Sequence, residues 1–150
     1  MIGGGAVTWF CKKQGPVALS STEAEYFALS ESVKEALWIR QTLTEIGFDV
    51  DRPTVINEDN QSTIAIALNP VHHQRTKHID TRVSFLREHI KDRDIKLVYC
   101  PTGDMIADIF TKALPVKQHM KLTGMLGLMS LADLSGKSLV PASLSITRWQ

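Results

Sequence analysis

The longest pattern of apolar positions in the sequence has the period of an α-helix. Ser20 followed three residues later by Glu23 is a capping box, so the helix is predicted to begin at about Ser21. Gly47 supplies the stop. Between these ends the apolar residues recur at helical spacing, at Leu29, Val33, Ala36, Leu37, Leu43 and Ile46. The pattern therefore predicts a helix over residues 21–46 with one face against the core.

One acidic residue of this helix lies on its apolar side. Glu25 precedes Leu29 by one turn and shares its face, whereas Glu23 lies about 200° further round, on the solvent side. A carboxylate directed towards a core needs a partner. A second capping interaction through Thr22 and a role in a functional site are both compatible with this position.

The rest of the chain alternates strand patterns with shorter helical ones, which predicts an α/β fold. The strand patterns cover Ala6–Lys13, Thr54–Asp59 and Ile95–Cys100. Further helices are expected from Asn60 to Asn69, within Val71–Asp94, from Met105 to Leu114 and over Val116–Leu128. Ligands of parallel α/β sheets bind at the carboxyl ends of the strands, where Asp59 falls, although Asp59 could instead cap the next helix.

Length and composition indicate a single globular domain with no overall electrostatic preference. The chain has 150 residues, 43% of them hydrophobic and 22% charged, and its net charge is +1. Cys11 and Cys100 match no zinc-binding spacing. Because no transmembrane run or signal peptide is found, we expect an intracellular protein, cytoplasmic or nuclear, without a membrane partner. The domain is expected to cover residues 1–128, and the Leu- and Ser-rich tail 129–150 to be disordered or loosely docked.

Basic residues are concentrated in the segment that leads into the third predicted helix. Their positions are His72, His73, Arg75, Lys77, His78, Arg82, Arg87 and Lys91. Such a face is often only solvated, but its density favours contact with the phosphates of a nucleic acid. Zinc binding by these histidines is less well supported, because no acid or Cys at ligand spacing accompanies them.

Three acids lie at the ends of predicted elements. Glu25 and Asp108 are at the starts of helices, and Asp59 is at the end of a strand. Each has an alternative role as a helix cap, and Asp108 is also favourable beside the helix dipole. Together they would form a cluster of hard oxygen ligands, which is the type that Mg²⁺ prefers.

Five motifs, in order, resemble the ribonuclease H domain that closes the Pol polyprotein of copia-type retrotransposons. The resemblance covers about residues 3–128 and excludes the tail. The motifs are Ala6–Trp9 with Lys12–Gln14, then Ser20–Tyr26, Glu58–Ser62, Arg75–Asp80 and Ala107–Lys112. It implies a ribonuclease-H-like mixed sheet flanked by helices.

In that family four acids hold two Mg²⁺ ions that cleave the RNA strand of an RNA–DNA hybrid. By resemblance Glu25, Asp59 and Asp108 match the second, third and fourth acids and are the expected catalytic and metal-binding residues. The partners implied are an RNA–DNA hybrid or another nucleic acid and the rest of a Pol polyprotein. The candidates for holding the nucleic acid are Arg75, Lys77, His78 and Arg82.

The chain departs from the family at its amino terminus. The family's first strand, which carries the first acid, and most of its second strand would precede Ile2. We therefore expect an amino-terminally truncated domain with an incomplete metal site, which does not cleave RNA at an appreciable rate. Two alternatives are a non-catalytic relic that binds nucleic acid and a fragment that is stable only with a partner chain.

Overall fold

A computed structural model describes residues 5–69, except 7, 10, 12 and 16, together with 77–128 and the backbone of 145–147; the side chains of 77–80 are not described. The α-helices are α1 (Ser21–Glu45), α2 (Gln61–Leu68), α3 (Lys77–Lys91) and α4 (Val116–Met125). The strands are β1 (Thr54–Glu58), β2 (Ile95–Tyr99) and β3 (Ser145–Thr147). Two 3-10 helices cover Thr102–Asp104 and Ile106–Phe110. The described helices and parallel strands confirm the expected α/β class.

Both predicted ends of α1 are confirmed by its capping bonds. The Ser20 hydroxyl accepts the N–H of Glu23 at 3.1 Å, and the Glu23 carboxylate accepts the N–H of Leu19 at 2.7 Å. The first bond satisfies an amide group of the first turn, which has no partner within the helix, and the second holds the residue that precedes the cap. At the other end Gly47 has a φ of 87°, a conformation that favours glycine and that ends the helix.

The described strands form a parallel sheet with the order β2-β1-β3. Thr54 pairs with Ile95 and Glu58 with Tyr99, so β1 and β2 run side by side over their full lengths. Their carboxyl ends therefore lie at the same edge of the sheet. The short strand β3 pairs with Val55–Asn57 on the other side of β1.

The core lies where α1, α2 and α3 pack against one another and against the sheet. Its buried residues come from five elements: Tyr26, Leu29, Val33, Ala36, Ile56, Ala67, Val83, Leu86 and Ile95. Complete burial of one large aliphatic side chain stabilises a fold by about 1.5–3 kcal/mol before cavity effects. The core thus fixes the start of α1, which carries Glu25, relative to the end of β1, which Asp59 follows.

The predicted strand Ala6–Lys13 is wrong for the residues that the structure describes. Residues 6, 8, 9, 11 and 13 are irregular, and the Trp9 side chain is 64% exposed. The alternation of apolar residues is a local signal, whereas a strand forms only when a neighbour satisfies its backbone groups. The described sheet is consequently parallel, and the antiparallel part of the expected mixed sheet is not among the described residues.

The α-helix predicted from Met105 to Leu114 is replaced by the 3-10 helix Ile106–Phe110, and the other 3-10 helix, Thr102–Asp104, precedes it. Their bonds join residues three apart, as from the N–H of Asp104 to the Pro101 carbonyl and from the N–H of Asp108 to the Met105 carbonyl. Such short segments suit 3-10 geometry, which rarely extends beyond one turn. Asp108 nevertheless lies in the first turn of its helix, as expected.

The tail 129–150, for which we expected disorder or loose docking, contributes β3. The rest of that tail lies outside the described residues, so the expected domain division at residue 128 stays a prediction. Among the described residues, none of the helices combines the length and the apolar character needed to cross a bilayer.

Candidate metal centre

Three carboxylates meet at the carboxyl end of β1. Glu58 is the last residue of this strand, Asp59 follows it directly, and Glu25 projects from the start of α1. One carboxylate oxygen of each residue lies within 4.8 Å of the others. The structure therefore brings together two of the acids predicted from the sequence, Glu25 and Asp59, and adds Glu58.

The three acids differ in their exposure to solvent. The Glu58 side chain is fully buried, whereas Glu25 and Asp59 are partly exposed. A carboxylate oxygen of Glu58 accepts the N–H of Asn60 at 3.0 Å, and the Asn60 side chain accepts the N–H of Thr63 as the cap of α2. The start of α2 and the side chain of Glu58 thus hold each other in place.

Residues that follow β2 form the second side of the site. The N–H of Cys100 donates to the Glu58 carbonyl at 2.9 Å, which continues the pairing of the two strands by one residue. The Thr102 hydroxyl donates a longer bond, 3.4 Å, to a carboxylate oxygen of Asp59. Asp59 is therefore oriented by the turn that follows the neighbouring strand.

Asp108, the third predicted acid, is not part of the group of three. Its side chain is buried, and its carboxylate forms an ion pair at 2.9 Å with Lys112, one helical turn further along the chain. This ion pair offsets part of the cost of burying the Asp108 carboxylate. In this structure Asp108 is bound to Lys112 rather than placed against Glu25 and Asp59.

The pKa of the Cys100 thiol is affected by the negative charges at this edge of the sheet. Burial raises its pKa, and the charges of Asp104, Asp59 and Asp108 raise it further, against a smaller opposite effect of Lys121. Negative charges disfavour a thiolate because like charges repel. Asp59 and Asp108 thus act on the same thiol, although they are not in one tight cluster.

The three grouped carboxylates fit a divalent cation. Oxygen ligands on opposite sides of Mg²⁺ are about 4 Å apart, so a spread of 4.8 Å requires only small movements of the side chains. Three acids in one place repel each other unless a cation or protons compensate them. Glu25, Glu58 and Asp59 are accordingly the described residues that suit a hard metal ion.

The basic residues predicted to bind nucleic acid are described only in part. Arg75 lies outside the described residues, and Lys77 and His78 open α3 with side chains that are also outside them. Arg82 is described, and its guanidinium contacts α1: it donates to Glu31 at 2.9 Å and to the Ser30 hydroxyl, and it lies 4.7 Å from the centre of the Phe27 ring. Arg82 therefore ties α3 to α1, and its contact with phosphate stays a prediction.

Reasoning from the sequence missed Glu58, although a signal for it was present. Along β1 buried and half-exposed residues alternate. Thr54, Ile56 and Glu58 are the buried ones. An acid at an inward position, next to a second acid at the strand end, is unusual because burial of a charge is costly. That pattern would have marked Glu58 as a site residue.

Comparison with known proteins relates the chain to transposon proteins. The Retrovirus-related Pol polyprotein from transposon TNT 1-94 of Nicotiana tabacum is 42% identical over 112 residues, which are 75% of this chain and 8% of that protein. The Retrovirus-related Pol polyprotein from transposon RE1 of Arabidopsis thaliana is 40% identical over 108 residues, or 72% of this chain and 7% of that protein. The Transposon Ty1-JR2 Gag-Pol polyprotein of Saccharomyces cerevisiae is 32% identical over 108 residues, 69% of this chain and 6% of that protein.

The homologues of this chain are therefore retrotransposon Pol polyproteins, and the chain spans less than a tenth of the length of these three. This confirms the expected relation to Pol. No family model matches the chain, and no solved structure matches it. The assignment to the ribonuclease H part of Pol stays a prediction.

Proposed function

We propose that this chain is a copia-type, Pol-derived domain of the ribonuclease H type, whose activity is Mg²⁺-dependent cleavage of the RNA strand in an RNA–DNA hybrid. One observation carries the proposal: Glu25 and Asp59, chosen from the sequence as separate acids, have carboxylate oxygens within 4.8 Å of each other. Homology to Pol polyproteins supports the proposal. The resemblance to the ribonuclease H part of Pol implies that the substrate is an RNA–DNA hybrid.

In such a site bound Mg²⁺ would activate water and stabilise the leaving oxygen during phosphodiester hydrolysis. Glu25 and Asp59 would hold the metal. Thr102 would orient Asp59 through its hydroxyl, and the start of α2 would keep the strand end fixed through Asn60. Glu25 lies in helix α1 and Asn60 caps helix α2, both helices contribute residues to the buried core, and such rigid support is a requirement for precise metal binding.

Asp108 is the proposed ligand of a second ion. Its negative charge reaches the same thiol as that of Asp59, which supports a place at the same edge of the sheet. Since Lys112 occupies its carboxylate, metal binding there requires exchange of this ion pair.

The nucleic-acid contacts proposed are those of the basic segment at the start of α3, with Arg75, Lys77 and His78. Phosphate contacts supply affinity without base preference, and an RNA strand is distinguished by its 2′-hydroxyl groups. Arg82 could join them only by leaving Glu31 and Phe27.

The test is a single-turnover assay with excess protein and a labelled RNA–DNA hybrid, with and without Mg²⁺. If the proposed activity is present, the RNA strand is cleaved only with Mg²⁺, and Asp59→Asn abolishes the cleavage. Asp92→Asn, in an exposed turn after α3, is the matched control and should cleave at the rate of the unmodified chain.

Cleavage that survives Asp59→Asn, or that needs no divalent ion, would overturn the proposal. Binding of the hybrid that weakens with salt, without any cleavage, would favour the alternative of a non-catalytic nucleic-acid-binding module.

A further inference from the structure

A cavity of about 500 Å³ lies at the end of the sheet opposite to the candidate metal centre. Pro53, which precedes β1, and Ile95, the first residue of β2, line this cavity, so it adjoins the amino ends of both strands. Each strand has five residues, and at about 3.3 Å per residue the cavity lies roughly 15 Å from the grouped acids. The proposed ribonuclease H activity involves none of the residues that line it.

The less exposed residues that line this cavity are apolar. Ile95 is a buried core residue, and Ile90 of α3 and Leu97 of β2 pack against the core. Leu68, the last residue of α2, also lines the cavity and is 54% exposed. None of the lining residues that the structure describes is aromatic. The cavity thus offers aliphatic contacts, but it offers no ring on which a nucleic-acid base could stack.

Most of the charged residues that line the cavity are cations. Arg52, Arg93 and Lys96 are exposed, and Asp51 is the only acid among the described lining residues. In the described part of the chain, none of the ion pairs involves these three cations. Exposed positive charge beside aliphatic surface is complementary to a ligand that carries both carboxylates and apolar groups.

The backbone conformation at Arg93 is unfavourable for a residue with a side chain. Its φ is 62°, in the left-handed region, and its N–H donates to the Ile90 carbonyl at 3.2 Å at the end of α3. Glycine is the usual residue in this conformation after a helix, because it adopts it without steric strain. Strained residues of this kind are concentrated at functional sites. The conformation of Arg93 is therefore a second observation, separate from the distribution of charge, that favours a binding role for its side chain.

Hydrogen bonds hold the two segments that carry the arginines of the cavity. The Arg40 guanidinium donates to the Val50 carbonyl at 2.8 Å and to the Arg52 carbonyl at 2.7 Å. The N–H of Thr54 donates to the Asp94 carbonyl at 2.9 Å, which joins the segment before β1 to the turn after α3. The backbone around the cavity is thus fixed before a ligand binds, and this lowers the entropic cost of association.

We propose that this cavity binds an extended acidic segment of a partner protein, in which apolar side chains alternate with carboxylates. The apolar side chains contact Leu68 and Ile90, and the carboxylates pair with the cations Arg52, Arg93 and Lys96. A small molecule is normally enclosed over most of its surface, whereas exposed cations beside an exposed leucine suit a segment that continues beyond the cavity. Since the cavity and the acids lie at opposite ends of the sheet, the inference does not depend on the proposed function.

The experiment is a fluorescence anisotropy titration of the full chain with a fluorescein-labelled peptide of alternating Leu and Glu, compared with the same peptide of Leu and Gln. We expect only the acidic peptide to bind. Arg93→Gly should weaken its binding by about two- to fivefold, the effect of one exposed ion pair, and the further substitution Lys96→Gln should bring the loss to about tenfold. Leu68→Gln should also weaken binding, because it removes an aliphatic contact. Lys117→Gln, at an exposed position of α4, is the matched control and should bind as the unmodified chain does.

Thermal unfolding separates a binding role of Arg93 from a structural one. Arg93→Gly should raise the melting temperature, because glycine adopts the left-handed conformation without strain, although the same variant binds the peptide more weakly. A lower melting temperature together with unchanged peptide binding would show that the Arg93 side chain only stabilises the fold, and would overturn the proposal.

Two further results would overturn it. One is equal binding of the Glu and Gln peptides, and the other is binding of the Glu peptide that none of the cavity variants weakens. If a labelled single-stranded DNA binds and loses affinity in Arg93→Gly and Lys96→Gln, while the Glu peptide does not bind, the cations contact phosphate instead. Asp59→Asn should bind the Glu peptide as the unmodified chain does, so failure of the proposed metal site would leave this inference standing.

Discussion

Arg87 links the end of α2 to α3, and its removal should destabilise the fold strongly. Its Nε donates to the Ala67 carbonyl at 3.2 Å, and one Nη donates to the Ile66 carbonyl at 2.8 Å and to the Asn69 carbonyl. These carbonyls belong to the last turn of α2, where backbone acceptors lack partners within the helix. A cation at a helix carboxyl end also interacts favourably with the dipole.

The size of the effect follows from these contacts. A hydrogen bond from a charged donor contributes about 1.5–3 kcal/mol, but bonds made by one guanidinium are not additive. We therefore expect Arg87→Ala to lower the free energy of unfolding by about 2–4 kcal/mol. Arg87→Lys should lower it by about half as much, because an ammonium group is a single point charge rather than a planar fork of donors.

Urea unfolding followed by circular dichroism measures both variants. Lys91→Ala, on an exposed position of the same helix, is the control and should change the free energy by less than about 0.5 kcal/mol. Since α2 begins beside the acids, Arg87→Ala should also weaken Mn²⁺ binding. An Arg87→Ala variant as stable as the unmodified chain would refute the assigned role of this side chain.

Three further predictions concern charged groups and a thiol. Arg82→Ala should lower the free energy of unfolding by about 1–2 kcal/mol, from the lost Glu31 and Phe27 contacts, and unchanged stability would contradict this. If Arg82 also contacts phosphate, the same variant should flatten the salt dependence of hybrid binding. The hydrogen bond from Lys34, and a further one from Arg82, hold the pKa of Glu31 below its ordinary value of 4.5, so its contribution is complete above that pH and is lost as pH falls through the lower pKa of the folded state. Unfolding at acid and neutral pH should thus show a smaller acid loss in Glu31→Gln, and an identical loss would contradict this. Burial raises the pKa of the Cys100 thiol most, and the nearby acids raise it further. In a Cys11→Ser background, Mg²⁺ should therefore speed alkylation of Cys100 by roughly three- to tenfold, because a bound cation offsets the effect of the acids; a rate that is unchanged by Mg²⁺ would contradict cation binding near Asp59.

The features that could be predicted from the sequence depend on local signals. The start of α1 follows from a capping box within four residues, and its end from a glycine with positive φ. The inward direction of Glu25 follows from helical periodicity alone. Asp59 was found because ligands of parallel sheets gather at the ends of the strands.

The features that could not be predicted depend on contacts between distant segments. The pairing of β3 with β1 joins residues from opposite parts of the chain, and no local pattern of three residues specifies such a partner. Arg82 and Arg87 looked alike as bases on an outer helix face, but α1 and the end of α2 supply their acceptors. The proximity of Glu58 to Glu25 depends on how α1 packs against β1, and no local pattern specifies that contact.

The central claim is that Glu25 and Asp59 hold a divalent cation. The most direct measurement is an anomalous difference map from crystals of the full chain grown with Mn²⁺. We predict a peak about 2.1 Å from carboxylate oxygens of both residues, the distance typical of a small hexacoordinate ion. Ordered Glu25 and Asp59 side chains without such a peak between them, in crystals that hold Mn²⁺ elsewhere, would contradict the claim.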